Sequence, residues 1–235
     1  ASEDDDTLYG GDDADVFQLG DNLGNDSIVG GEGGTDSDTI DGSALTSGMD
    51  VTYTGNEAGT INDATGQIAT FSEIEELVLT GQDDTVDASA TTQAVSVAGG
   101  GGADTLFGGS GMDYADYSSS ASGVTVDLTT ATGSGGDAEG DVYGGIDGLI
   151  GSSFDDVLTG YDGQGPGYTN VFYGGAGNDI LTGLGGDDTL FGGDDEDTFI
   201  LGDGFGNDTI SGGEGGGDND TVDASALTTG VDVNY

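Results

Sequence analysis

The chain has 235 residues, 47 of them Asp or Glu, with no Lys, Arg, His or Cys and a formal net charge of −47. That excludes ordinary zinc sites, Ser-His and Cys-His nucleophiles, disulfide frameworks and nucleic acid as a partner, since no side chain can neutralise phosphate. The 51 Gly and 33% hydrophobic residues give the composition of a disordered chain, unless a regular repeat and a cation rescue it.

Along the chain, residues 1–41 read as glycine-rich turns ending in Asp. Asp6 and Asp15 lie nine residues apart, and Asp26 and Asp38 follow after gaps of 11 and 12. Each is followed by a triplet with a large apolar centre, such as Phe17, Ile28 and Ile40. Residues 42–80 lose the glycine frame. Asp41-x-Ser43 leads there to Met49 and Val51, whose alternation marks a half-buried strand. Ile74-Glu75-Glu76-Leu77-Val78 then leads into Asp83-Asp84-Thr85-Val86.

Residues 81–116 return to the frame with Asp84, then Asp104 and Asp113 nine residues apart; Leu106 is an inward residue and Ala115 a weak one. Between them, Asp87-x-Ser89 precedes Val95 and Val97. Residues 117–150 repeat the plain unit, with Asp116-x-Ser118 before Val124 and Val126, and Ile146-Asp147-Gly148-Leu149-Ile150 before Asp155-Asp156. Residues 151–223 hold the longest run. Gly174-Gly175-Ala176-Gly177-Asn178-Asp179-Ile180-Leu181-Thr182 fits G-G-x-G-x-D-x-U-x, where U is large and apolar. Asp179, Asp188 and Asp197 are nine residues apart, and Asp208 and Asp220 follow. Asn170 stands where an Asp would fall, and Asp13, Asp195 and Leu184 replace glycines. Residues 224–235 begin another plain unit, Asp223-x-Ser225 before Val231 and Val233.

Glycine supplies positive-φ turns and lets carbonyls approach an ion, while Asp offers a hard oxygen ligand suited to Ca²⁺. Two nonapeptides make one coil, with coils about 4.8 Å apart. Carboxylates stacked about 5 Å apart repel by roughly 3 kcal/mol at an effective dielectric of about 20. The bare chain is therefore expected to be unfolded. The expected ligands are Asp6, Asp15, Asp26, Asp38, Asp84, Asp104, Asp113, Asp156, Asp179, Asp188, Asp197, Asp208 and Asp220. Asp41, Asp87, Asp116 and Asp223 read as turn-forming instead. Paired carboxylates such as Asp187-Asp188 fall inside these turns, where a metal-bound Asp is a poor general acid, so no enzyme is expected.

The nonapeptides resemble the repeats-in-toxin family. The resemblance implies an all-β fold, a parallel β-roll or β-solenoid with several calcium ions in its turns, and secretion by a type I system of a Gram-negative bacterium. The expected organisation is one continuous solenoid over 1–235, with no significant helix and no membrane span. Calcium-binding repeats at 1–41, 81–116 and 151–223 alternate with plain coils at 42–80 and 117–150. No signal peptide is visible, so the chain reads as a mature product or an excised segment.

Residues 1–53 align without a gap on 183–235, with 34 of 53 positions identical. That suggests a longer array repeating every 182 residues, or copies associating end to end. The expected function is an extracellular structural or adhesive protein that folds on calcium. The alternative is a non-catalytic carrier region of a secreted enzyme or toxin.

Overall fold

The structure, a computed structural model, describes residues 4–21, 24–31, 37–63, 66, 68–161, 168–213, 215 and 219–228. Val231 and Val233, expected as strand residues, lie outside the described residues. Among the described residues the only helical segment is a 3-10 turn at Gly136–Ala138, and all other regular structure is β. Most strands are three residues long because each is one x-U-x triplet, flanked by Thr or Val and bounded by glycine turns. The central side chain points inward and its neighbours point out.

Two compact units are formed, residues 1–116 with 137–146 and residues 117–136 with 147–235. Each unit is a parallel β-roll with two sheets. In the first, one sheet stacks Leu8 on Ile28 and Ile28 on Phe71, and, further along, Val51 on Val86, Leu106 and Tyr143. The other sheet stacks Phe17, Ile40, Leu77, Val97 and Ala115 in register. In the second unit, Val126, Leu158, Leu181, Phe199 and Val222 form one column, and Leu149, Phe172, Leu190 and Ile210 the other. Nearly all of these side chains are buried, so the core is one or two apolar residues thick between sheets of identical register.

The structure adds two features to the expected roll. Strands Met49–Gly55, Ala58–Asp63 and Ile68–Ser72 form an antiparallel excursion, and Thr125–Asp127 pairs antiparallel with Thr132–Ser134. The reversals after Gly55 and after Asp127 turn at non-glycine residues with positive φ, Glu57 at 51° and Ala131 at 56°. The excursion carries its own core, with Tyr53 and Phe71 in edge-to-face contact at 5.0 Å and Ile61 fully buried. One expected rung differs. Val222 is 53% exposed, since among the described residues no strand pairs on its outer side. Ala115, small as it is, is fully buried.

Candidate metal centres

Each glycine turn delivers its Asp to the start of a strand, so the carboxylates form columns along the coils. The columns are linked by one recurring bond. The backbone N–H of an Asp donates to Oδ1 of the Asp one coil further along the chain. Asp6 donates to Asp26 at 2.8 Å, Asp84 to Asp104 at 2.9 Å, Asp156 to Asp179 at 2.8 Å and Asp179 to Asp197 at 2.9 Å. Asp15 to Asp38, Asp188 to Asp208 and Asp197 to Asp220 repeat it at 2.8, 3.0 and 3.0 Å. Asn170 donates to Asp188 at 2.7 Å. All thirteen expected ligands therefore stand in these columns, Asp113 by accepting the Val95 N–H at 2.9 Å.

The second oxygen divides the turns. Oδ2 of Asp26, Asp104, Asp179 and Asp188 is hidden from solvent and has no hydrogen-bond partner. An ionised oxygen buried in this way is strongly unfavourable. At Asp84, Asp113 and Asp156, Oδ2 instead accepts a backbone N–H from the second residue of its own turn.

The first glycine of the turn leaves room for this oxygen. A methyl group on Gly174 would collide with Asp179 Oδ2 and with the carbonyl oxygen of Gly192 in the next coil. Carboxylate and carbonyl oxygens thus converge on the space that a side chain would fill. The same cradle recurs at Gly10, between Asp15 Oδ2 and the Gly30 carbonyl. Gly174→Ala is expected to destabilise the calcium-loaded fold by about 1–3 kcal/mol, as overpacking does. Thermal unfolding in excess calcium measures this, and an unchanged midpoint would show that the cradle is not closely filled.

Electrostatics point the same way. Burial, with the neighbouring carboxylates of Asp141, Asp84 and Asp83, pushes Asp104 up to about 8. Burial and the carboxylates of Asp156, Asp197 and Asp155 do the same for Asp179, also to about 8. Burial, with Asp188 and Asp187, raises Asp208 to about 6. Asp84, Asp113, Asp156 and Asp188 are raised too, mainly by burial. Asp41, Asp87 and Asp223 are held below the usual carboxylate range by the hydroxyls of Ser43, Ser89 and Ser225, as their turn-forming role requires.

Two column members lie outside the nonapeptide frame. Glu75 accepts the Asp38 N–H on its carboxylate at 2.7 Å, and Asp141 accepts the Asp104 N–H at 2.8 Å. Both fall in segments expected to be plain coil. Their signal is the shorter pattern of an acid followed by x-U-x, Glu75-Glu76-Leu77-Val78 and Asp141-Val142-Tyr143-Gly144, without the glycines.

Among the described residues no three carboxylates converge as an all-side-chain metal cage would need. A cation in these turns would take carboxylate oxygens together with backbone carbonyls. Such an all-oxygen donor set suits a hard cation of calcium's size. The unpartnered buried oxygens and the glycine cradles fit that ion.

A family model for the RTX calcium-binding nonapeptide repeat matches the chain in four copies, over residues 1–22, 80–115, 142–164 and 167–199. The chain carries RTX calcium-binding repeats. The RTX copies include Asp6, Asp15, Asp84, Asp104, Asp113, Asp156, Asp179, Asp188 and Asp197, while Asp26, Asp38, Asp208 and Asp220 lie outside them, and the third copy begins at Val142, directly after Asp141. RTX repeats are non-catalytic and typical of secreted proteins, and no helix among the described residues is long and apolar enough to cross a membrane. No curated protein matches the chain.

Proposed function

We propose that this calcium-binding repeat protein is an extracellular structural or adhesive element whose folding is switched on by calcium after export. The observation that carries the proposal is the set of buried, unpartnered carboxylate oxygens at Asp26, Asp104, Asp179 and Asp188 in a chain with no cationic side chain. On this reading these four are ligands, and Asp6, Asp15, Asp38, Asp197, Asp208 and Asp220, in the same columns, are ligands with them. Extracellular calcium modules bind with Kd of about 10⁻⁴ to 10⁻³ M, above cytosolic calcium. The chain is then unfolded inside the cell and folds outside, where ion binding is folding free energy. The likeness of 1–53 to 183–235, with 34 of 53 positions identical, supports an array of stacked copies, and the resemblance supports type I export from a Gram-negative cell.

Calcium added to the chelated chain is expected to convert a coil circular-dichroism spectrum to a β spectrum, reversed by chelator. A β spectrum that persists in chelator would sink the switch. Electron microscopy of the calcium-loaded protein tests the array, with filaments that disperse in chelator as the expected result.

A further inference from the structure

The columns contain two kinds of Asp turn that the nonapeptide pattern does not distinguish. In the open kind, the second residue of the turn has positive φ: Gly100 at 78° before Asp104, Gly175 at 114° before Asp179 and Leu184 at 71° before Asp188. Its N–H makes no hydrogen bond to the carboxylate's Oδ2, which has no partner. In the closed kind, the second residue is Thr80, Gly109 or Ser152, none with positive φ. Its N–H donates to Oδ2 at 2.8 Å for Asp84, 2.6 Å for Asp113 and 2.6 Å for Asp156. Thr80 and Ser152 add their hydroxyls, at 3.0 and 3.2 Å from the same oxygens.

The two kinds face different neighbours. An open turn receives on Oδ1 the N–H of another column residue, from Asp84, Asp156 or Asn170. A closed turn receives the N–H that opens a plain strand: Met49 at 2.6 Å, Val95 at 2.9 Å and Val124 at 2.6 Å. Closure therefore occurs where a repeat coil meets a coil without an Asp turn, and a cation there would find donors on one side only.

We infer that Asp84, Asp113 and Asp156 are calcium-independent joints between repeat runs and plain coils, with Thr80, Gly109 and Ser152 supplying the hydrogen bonds that stand in for the ion. The inference rests on calcium occupying the open turns. Both oxygens of each joint carboxylate already accept a backbone N–H, which stabilises the charged form without metal. A cation on Oδ2 would have to displace that N–H, and at Thr80 the required positive φ is a strong outlier for a β-branched residue. Two further positions support the division. Asn170 occupies a closed position with no charge at all, its Oδ1 accepting the Tyr161 N–H at 3.1 Å. Leu184 holds positive φ in an open turn despite its side chain, a strain of the sort kept where the site requires it.

Native mass spectrometry of the calcium-loaded chain and of single Asp→Asn variants tests the division by counting ions. D104N and D179N are each expected to lose at least one ion, while D84N, D113N and D156N retain the full number. Loss of an ion from D84N, D113N or D156N overturns the joints and leaves the calcium reading standing. A wild-type chain that takes up no calcium overturns both. Because Asn already serves at position 170, the substitution is compatible with a closed turn. The reverse variant N170D, which removes nothing, is expected to add no ion, and a gain of one overturns the inference.

Discussion

Lowering the pH from about 7.5 to about 5 in calcium-free buffer is expected to give the chain β-structure that it lacks at neutral pH. The buried Asp104 and Asp179 are raised to about 8, against 3.8 for an ordinary Asp. Between those values the folded form holds protons that the unfolded chain has released, so acidification favours folding. The favourable contribution is complete below 3.8 and is lost as the pH rises through about 8. Asp208, raised to about 6, adds to the lower part of this window. Protons thereby neutralise the same oxygens that calcium would. In saturating calcium the dependence reverses, because ligand carboxylates must be ionised and acid weakens ion binding. Circular dichroism at low protein concentration, with light scattering to exclude precipitation towards the pI of about 4.1, checks both arms. A chain that stays coil at pH 5 without calcium, yet folds with calcium at pH 7.5, would show that carboxylate repulsion and burial are not what keeps the bare chain unfolded.

The second large effect lies in the apolar column. Phe172 is fully buried, in register with Leu149 on one side and Leu190 on the other. Phe172→Ala is expected to cost about 3–5 kcal/mol, combining lost burial with the cavity left behind. That approaches the whole net stability of many domains. In a stacked fold each coil contacts only its neighbours, so the damage should be local. Hydrogen exchange in calcium should then show Leu149 and Leu190 losing protection while Leu8 and Ile28, in the other unit, keep theirs. Uniform loss across both units would contradict coil-by-coil stability.

Much of this architecture is legible in the sequence because its rules are local. A glycine frame followed by Asp-x-U-x fixes a turn, a carboxylate position and an inward residue, and Phe17, Ile40, Leu106 and Leu190 all occupy the expected interior. The three-stranded antiparallel excursion at 49–72 is harder to see, because the apolar alternation of Val51, Ile61 and Phe71 gives strands but not their direction. Glu75 and Asp141 escape the nonapeptide pattern because a column position needs only an acid before a strand; the glycines serve the cradle. The open and closed turns cannot be told apart by motif either. Asp104 and Asp113 sit in equally regular nonapeptides, and what separates them is the neighbouring coil, which is a matter of stacking.

The link between successive carboxylates has a direction. In every column the earlier residue gives the N–H and the later one the oxygen, as from Asp156 to Asp179 and on to Asp197. At this link one face of a coil therefore presents the donating Asp N–H and the other the accepting carboxylate oxygen, although strand N–H groups also donate back to the earlier Asp carbonyls. Two copies can extend a column only when the donor face of one meets the acceptor face of the next. Such a contact is heterologous and leaves a free face of each type after every addition. An array of copies of the kind proposed above would, by this rule, be polar with two unlike tips and would not close into a symmetric dimer.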